Sequence, residues 1–332
     1  MLRPVCKISI AQNEFDFVTD GNFVSSWKEL TDTGEITIPH KFVKENKTIF
    51  VGEDNFFKKG DYVKIKAGYF PNYYDIFEGY VSGIKPSIPV ELKLEDPAFL
   101  LKQTNLTFSY ENVALKELLN NAIGEAINKS SGYVKEGLKK IKIEAVDANL
   151  GAFRVTNVNI TNILQELKKT YALISYLRGH TLYVGLAYYA ENRNKATFVF
   201  QKNIIDDGTD LEYLKKDDVS FKIKAVSMLE NNTKIEIELG DPNGEQRTIT
   251  KYNLNEKDLR EAAEREIDRL KYEGFRGQIK TFLEPVMKHG DEIEIVDNRR
   301  PERNGVYLAE SVEYPIGVNG YFQIIKLGVK VG

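Results

Sequence analysis

Residues 58–65 read KKGDYVKI, and residues 288–295 read KHGDEIEI. Each segment places a Gly-Asp pair immediately before a stretch in which apolar and polar residues alternate. Gly-Asp is favoured in tight turns because glycine tolerates a positive φ and aspartate hydrogen-bonds to nearby backbone amides. The alternation has the period of a strand with one buried face. The two copies therefore predict that one β unit occurs twice in the chain.

A second shared feature follows each copy at the same spacing. Phe77 lies 16 positions after Asp61, and Tyr307 lies 16 positions after Asp291. Each aromatic residue opens a further strand, so the order of the elements is preserved. Turns use few residue types, and chance recurrence of the Gly-Asp turn is the alternative. The shared order favours duplication.

The sequence pattern of the first 95 residues is typical of a β-barrel or sandwich. Short alternating segments are separated by Gly, Asn and Asp, which is typical of strands joined by turns. The predicted strands cover residues 5–10, 15–18, 35–38, 62–67, 77–84 and 90–94. We predict that residues 1–95 form a first β-barrel domain.

Residues 96–201 have a different sequence pattern, which predicts a small α+β domain. Apolar residues recur at helical spacing over residues 113–127, after Asn112 as a possible N-cap. A second helix is predicted from Asn159 or Thr161. Strands are predicted at residues 173–177 and 181–186, on either side of a turn.

Residues 202–332 again show the alternating pattern of strands, and we predict that they form a second β-barrel domain. It carries one long helix over about residues 255–273, in which Asn255 is the N-cap and Gly274 the stop. The predicted strands cover residues 219–226, 234–239, 247–252, 278–283, 292–296, 306–312 and 321–327. The predicted fold class is thus α+β, mainly β, with two similar β-barrels and an intervening small α+β domain.

Composition excludes several classes of function. The 332 residues carry a formal net charge of -3, which disfavours sequence-specific binding of nucleic acid. The single cysteine, Cys6, cannot form an intrachain disulfide and is predicted to be a strand residue. The N-terminal residues lack the apolar core of a signal peptide, and no run reaches the roughly 20 apolar residues of a membrane helix. We predict synthesis in the cytoplasm and no membrane insertion.

The residue types that carry enzyme chemistry are scattered. His40, His180 and His289 lack the spacing of metal ligands, and we predict that each is a solvated turn residue. Gly-x-Ser-x-Gly, Gly-x-x-x-x-Gly-Lys and Gly-x-Gly-x-x-Gly motifs are absent. We therefore predict no catalytic residue, no cofactor or cofactor-binding residue and no metal ligand, and no enzyme activity.

Adjacent carboxylates occur at Asp206-Asp207, Asp217-Asp218 and Glu95-Asp96. Paired carboxylates are the machinery of glycosidases, so a wall-degrading enzyme is a competing hypothesis. Neighbouring residues of a strand, however, point to opposite faces of the sheet. We predict that these pairs are solvated turns.

Two aromatic clusters and one basic loop are the remaining candidate surfaces. Aromatic residues at 69–74 and 186–189 predict loop packing or a subunit interface, with sugar stacking as the alternative. The basic loop at residues 299–305 predicts either a solvated loop or a contact with an acidic neighbouring subunit.

The segment FEGYVSGI at residues 77–84, a proline-bearing link and VELKLED at residues 90–96 resemble the first barrel of phage tail hub proteins. These are the late control protein D family and the N-terminal part of type VI secretion VgrG spike proteins. The C-terminal third is similar as well, from GDPNG at residues 240–244 through the predicted helix to GYFQIIKLG at residues 320–328. The likeness spans nearly the whole chain.

This resemblance implies a structural baseplate hub of a phage or prophage tail, located in the virion. It implies a homotrimer with pseudo-sixfold symmetry, which adapts a hexameric tail tube to a spike or tip protein, contacts other baseplate proteins and has a lumen through which DNA can pass. Type VI spike proteins continue into a further barrel and a β-helical needle, so a separate spike polypeptide is expected here. A component of a type VI or other contractile injection system is the main alternative, and a glycan-binding or hydrolytic tail protein is a weaker one.

Overall fold

A computed structural model describes residues 3–44, 47–51, 56–171, 173–185, 193–215, 220–229, 233–271 and 273–331. Most of the regular structure in these ranges is strand, which confirms the mainly β class. The strands of the N-terminal part are β1 (Pro4–Ile10), β2 (Asn13–Phe15), β3 (Asp20–Ser26), β4 (Thr33–Ile38), β5 (Lys41–Lys44), β6 (Lys47–Phe50), β7 (Tyr62–Tyr69), β8 (Tyr74–Lys85) and β9 (Val90–Glu95).

The middle of the chain is a mixed α and β segment. Its main helices each have one buried apolar stripe, because their Leu and Ile residues recur at helical spacing. Its elements are α1 (Ala98–Leu101), β10 (Leu106–Tyr110), α2 (Leu115–Lys129), α3 (Gly132–Leu138), β11 (Lys142–Ala145), β12 (Phe153–Val158), α4 (Ile160–Tyr171), β13 (Ile174–Arg178) and β14 (Thr181–Gly185).

The C-terminal part returns to strands around one long helix. Its elements are β15 (Lys195–Val199), β16 (Ile204–Leu214), β17 (Phe221–Met228), β18 (Lys234–Gly240), β19 (Glu245–Tyr252), α5 (Glu256–Leu270), β20 (Gly274–Phe282), β21 (Glu292–Val296), β22 (Gly305–Gly317) and β23 (Gly320–Lys330). The Asn255 side chain accepts a hydrogen bond from the Asp258 amide at 2.9 Å, which confirms the predicted cap of α5. Gly274 is not the stop of this helix, because the helix ends before Lys271 and Gly274 opens β20.

One sheet runs through both β regions in the order β16-β20-β23-β22-β3-β4-β9-β8-β7-β1-β2, with β21 pairing to β22 and β15 to β21. The order β3-β4-β9-β8-β7-β1 in the first half is repeated as β16-β20-β23-β22-β21-β15 in the second. The matching pairs are antiparallel except the last, because β1 runs antiparallel to β7 whereas β15 runs parallel to β21. The duplication inferred from the two Gly-Asp segments is therefore present in the topology.

The two Gly-Asp turns have the same hydrogen bonds. The Asp61 carboxylate accepts from the Lys58 amide at 2.8 Å, and the Asp291 carboxylate accepts from the Lys288 amide at 2.8 Å. Gly60 has a φ of +91° and Gly290 a φ of +80°, values that L side chains rarely adopt. Glycine is therefore required by the backbone at both positions.

The aromatic residues Phe77 and Tyr307, which have the same spacing in the sequence, do not occupy equivalent positions in the two ladders. Ile293 lies opposite Tyr307, whereas its counterpart Val63 lies opposite Gly79 and not Phe77. The equal 16-residue spacing therefore matched residues two positions apart in the ladder. The order of the strands was predicted correctly, and the residue equivalence was wrong because the two loops differ in length.

Strand β3 joins the two halves of the sheet. It pairs with β4 on one side and with β22 on the other, from Ser26 opposite Ser311 to Asp20 opposite Gly317. The sequence did not predict this strand, because residues 20–26 read DGNFVSS and are dominated by residues typical of turns. Pairing on both sides outweighs that local preference. The strand predicted at residues 15–18 is instead the short β2, which ends at Phe15.

The described residues form three apolar clusters. The largest contains residues of both β halves, including Ile8, Phe77, Phe198 and Ile325. The second consists mainly of residues of the middle segment and also includes Tyr80 of β8. The third lies between α5 and a separate sheet, in which β17 is flanked by β18 and β19. The range 202–332, predicted as one barrel domain, thus includes a small sheet with its own core, and the boundaries at residues 95 and 201 stay a prediction.

We expect Gly290→Ala to lower the free energy of unfolding by about 1–2 kcal/mol, because alanine is strained at a positive φ. The added Cβ meets no atom within 4 Å, so backbone strain is the whole effect. Gly124→Ala in the helix α2 is the matched control, since its Cβ also meets nothing within 4 Å. This control should gain about 0.5–1 kcal/mol. Urea unfolding of both variants measures the two signs, and equal effects would contradict the turn assignment.

Candidate functional site

The two β halves and the middle segment meet at a polar junction. It comprises the turn before β21, the turn between β13 and β14, the connection from β3 to β4, and the residues that follow β9. A cavity of about 90 Å³ lies at this junction. Its polar lining residues include Asp32, Glu78, Asp96, Arg178, Lys288 and His289.

Asp291 holds the middle segment against the second half. Its side chain is fully buried, and its Oδ1 accepts from Arg178 Nη2 at 3.1 Å and from the Asn194 amide at 3.1 Å. Breaking such a buried ion pair by removing one partner is strongly destabilising. The aspartate of the second Gly-Asp turn therefore closes its own turn and also anchors a residue 113 positions away in the chain.

Asp32 and Asp96 form a carboxyl pair in the same junction. The Asp32 Oδ1 accepts from the Ser26 amide at 2.9 Å, and the Asp96 Oδ1 accepts from the Ala98 amide at 3.0 Å. Burial raises the pKa of Asp32 to about 7. Burial and the neighbouring Asp32 charge raise the pKa of Asp96 well above its usual range. The pair is therefore short of two full negative charges near neutral pH.

The prediction that His289 is a solvated turn residue is wrong. Only 2% of its surface is exposed, and its ring packs edge-on against Tyr176 with centroids 5.2 Å apart. Burial and the nearby Arg178 charge lower the pKa of His289 to about 3, so the imidazole is neutral. His180 is partly buried, with Nδ1 3.6 Å from Glu78 Oε1. His289 is buried because the middle segment packs against it. The local sequence does not reveal this contact.

The carboxylate pairs predicted to be solvated turns have different outcomes. Asp96 is buried with 5% of its surface exposed, so that prediction is wrong for this residue. Glu95 pairs with Lys102 at 2.5 Å. Asp217 and Asp218 lie outside the described residues, as does the side chain of Asp207. The partner of Asp96 is not its sequence neighbour but Asp32, from a different strand connection.

The junction cavity is too small for a saccharide. A cavity of about 90 Å³ holds roughly three water molecules, whereas ligand pockets measure about 300–1,000 Å³. A second cavity of about 380 Å³ lies on the open sheet face beside Lys7, Glu14, Lys64 and Tyr73. Its described lining includes one carboxylate, and that carboxylate is 3.3 Å from Lys7 Nζ. The junction cavity thus has paired carboxyl groups without room for a saccharide, and the larger cavity has one carboxylate in its described lining, so neither combines the two features that a glycosidase needs.

The described ranges also bear on metal binding and on membrane insertion. No group of three or more His, Cys, Asp or Glu side chains in these ranges is placed to hold a metal ion. No helix within them is both long and apolar enough to cross a bilayer.

The aromatic cluster at residues 69–74 lies at the seam between the two halves. The buried Tyr69 hydroxyl donates to the Tyr321 carbonyl, and Tyr74 donates to Glu284 Oε1 at 3.0 Å. Phe70 and Tyr73 are exposed. The predicted packing role thus fits Tyr69, while the cluster at residues 186–189 lies outside the described residues. In the basic loop, the Arg303 guanidinium lies 4.9 Å from the Tyr213 ring centroid.

The whole chain is similar in structure to the tail protein from Neisseria meningitidis MC58, with a TM-score of 0.61 and 14% sequence identity over 99% of this chain and 97% of that one. It is also similar to the 43 kDa tail protein of prophage MuSo2 from Shewanella oneidensis, with a TM-score of 0.60 and 12% identity over 98% and 97% of the two chains. The chain has the fold of phage tail proteins.

A third similar structure is a component of the type VI secretion system of E. coli, described as similar to the bacteriophage T4 tail proteins gp27 and gp5. The TM-score is 0.55 and the identity 9%, over 98% of this chain and 77% of that one. No protein-family model matches the chain, and no curated protein matches its sequence. The resemblance drawn from residues 77–96 and from the C-terminal third is thus confirmed as a shared fold.

We expect Asp32→Asn to stabilise the protein at about pH 8 by about 1–2 kcal/mol. The folded carboxyl holds a proton up to about pH 7, while the unfolded one loses it near pH 4. The protonated form therefore contributes stability at low pH, and that contribution is lost as the pH rises through about 7. Asparagine keeps the acceptor for the Ser26 amide and carries no charge.

Thermal or urea unfolding between about pH 5 and pH 8 measures this difference. The matched control is Asp20→Asn, which removes a carboxylate from an exposed position at the start of β3. The control should follow the wild-type pH profile. A D32N variant with the wild-type stability at both pH values would contradict the raised pKa.

Proposed function

We propose that the chain is a structural baseplate hub protein of a phage or prophage tail. It forms a homotrimer that adapts a hexameric tail tube to a spike or tip protein. The observation that carries this proposal is the repeated strand order of the two halves, β3-β4-β9-β8-β7-β1 and β16-β20-β23-β22-β21-β15. Three chains with two similar halves each place six similar units around one axis.

The duplication explains how a threefold object meets a sixfold one. Both halves lie in one sheet and share one apolar core, so their relative orientation is fixed within a chain. A ring of six identical subunits needs six similar contact surfaces, and a trimer of duplicated chains supplies them. In this proposal each half is a tail-tube-like β-barrel, residues 1–95 and 202–332, with the segment 96–201 inserted between them.

The partners and location follow from this role. The partners are the tail tube protein, a spike or tip protein and other baseplate proteins, and the product is made in the host cytoplasm and assembled into the virion. The low-identity likeness to two tail proteins supports a tail role. A chain of the PdpA–VgrG complex also shares this fold, with a TM-score of 0.51 and 9% identity over 99% of this chain and 65% of that one, which supports a protein partner at the tip.

In this role the chain is not a catalyst. The junction carboxyls Asp32 and Asp96 face a cavity of about 90 Å³, and they act through the stability of the junction instead. Arg178 and Asp291 belong to the same junction and fix the middle segment on the second half. The polar groups at this site therefore have a structural role in the hub.

A component of a type VI or other contractile injection system is the second candidate. The likeness to the E. coli type VI secretion component favours it, because the two chains share their fold over 98% of this one. Fold does not separate the two settings, since the same adaptor geometry serves both. A hydrolytic tail protein is disfavoured because the carboxyl-lined junction cavity is too small for a saccharide, and a glycan-binding tail protein is the weaker alternative to the hub.

We expect the purified protein to form a trimer of about 114 kDa, three times the 37.9 kDa of one chain. Its interfaces should bury more than roughly 2,000 Å² in total, so the trimer should persist on dilution. Light scattering over a concentration series measures the absolute mass.

A monomer at every concentration would contradict the proposed trimer. Binding of that monomer to cell-wall glycan, measured by co-sedimentation, would then favour the carbohydrate-binding alternative. A trimer that does not bind glycan is the result that the hub predicts.

A further inference from the structure

Two hairpin tips carry the most exposed large apolar side chains of the described residues. Ile88, between β8 and β9, and Val318, between β22 and β23, are each 81% exposed. The next in rank, Phe70, is 64% exposed. Single exposed apolar residues are common on protein surfaces. Two with equal exposure at matching places need a further explanation.

The two tips occupy equivalent positions in the duplicated unit. The β8–β9 hairpin of the first half corresponds to the β22–β23 hairpin of the second, because both follow the strand that pairs with the Gly-Asp strand. The two loops differ in sequence and length. The loop before β9 is PSIP at residues 86–89, and the loop before β23 is VN at residues 318–319. Both tips nevertheless have a highly exposed β-branched aliphatic side chain.

The two tips also project from the same edge of the sheet. Gly317 lies opposite Asp20, Asp20 opposite Thr37, Thr37 opposite Glu91, and Glu91 opposite Lys85. This single row of paired residues crosses from one hairpin to the other. Neighbouring strands are about 4.8 Å apart, so the two hairpins are about 19 Å apart along the sheet.

The turns themselves do not require these aliphatic side chains. Short hairpin loops favour Asn, Asp and Gly, and β-branched residues are disfavoured there. Gly320, with a φ of +116°, supplies the unusual backbone conformation of the second tip. Pro86 and Pro89 restrict the backbone of the first. A tip with restricted conformations loses less entropy on binding than a free loop does.

We infer that Ile88 and Val318 are paired anchors that insert into the same apolar pocket on two neighbouring subunits of a homo-oligomeric ring. This inference rests on the proposed function, in which the ring is the tail tube. Equivalent anchors at one edge suit a partner that presents one surface repeatedly, and three chains would present six tips. Polar groups around the tips, such as the Lys85–Glu91 ion pair at 2.9 Å, form the rim that surrounds an apolar anchor.

The test measures binding of the purified full chain to the ring-forming tail tube protein of the same genome by calorimetry or biolayer interferometry. The variants are Ile88→Asp, Val318→Asp and the double variant. Val331→Asp is the matched control, because Val331 is 46% exposed and lies beyond the opposite end of β23. Melting temperatures and light-scattering masses of all variants check the fold and the oligomeric state.

We expect each tip variant to weaken binding by about 10-fold or more, because burial of one Val or Ile side chain is worth about 10- to 150-fold in affinity. The two losses should be similar, the double variant should abolish binding, and V331D should bind like wild type. Wild-type affinity in the double variant would overturn the inference. A loss at only one tip would overturn the equivalence of the anchors.

Two further outcomes separate this inference from the proposed function. A wild-type chain that does not bind the tube ring would contradict the proposed function, and the paired anchors would fall with it. Tip variants that lose self-association while they keep wild-type binding to the tube ring would place the anchors in contacts between copies of this chain. That result would overturn the inference and leave the proposed hub intact.

Discussion

The antiparallel pairing between β22 and β3 connects the two halves of the molecule into one sheet. Backbone pairing from Ser311 opposite Ser26 to Gly317 opposite Asp20 is reinforced by a 2.7 Å hydrogen bond from Asn22 to Glu313. Without it, each half would expose a strand edge, which is a site for unwanted association. Because both halves share this ladder, their equivalent hairpins project from one edge. The geometry proposed for a sixfold partner depends on this pairing.

The two copies of the Gly-Asp turn share one structural role, and the second copy has another role as well. Asp61 and Asp291 each accept a hydrogen bond from the amide three residues earlier, which closes the Gly-Asp turn. Asp291 additionally binds Arg178 of the middle segment and has lost all contact with solvent. The second aspartate therefore closes its own turn and also holds the middle segment. The nearby Asp32 and Asp96 carboxyls make the same junction sensitive to pH.

The sequence predicted what depends on local pattern and missed what depends on distant pairing. The strand over β7 and the helix α5 were predicted because alternation and capping are encoded within a few residues. Strand β3 was missed because DGNFVSS is a turn-like sequence that becomes a strand only between β4 and β22. The ion pair of Arg178 with Asp291 was also missed because the two residues are far apart in the sequence, although Asp291 belongs to the repeated Gly-Asp segment. His289 was predicted to be solvated because Tyr176, which packs against it, is remote in sequence. Asp96 was predicted to be solvated because its neighbour Asp32 lies in a distant strand connection.

The most direct test of the account is a cryo-electron microscopy reconstruction of the assembled oligomer with only threefold symmetry imposed. The account predicts six similar β densities around the axis, alternating between the N-terminal and C-terminal halves of three chains. All six should present their β8–β9 or β22–β23 hairpin on the same face of the ring. Halves at different radii, or hairpins that alternate between opposite faces, would contradict the claim that the duplication builds a sixfold surface.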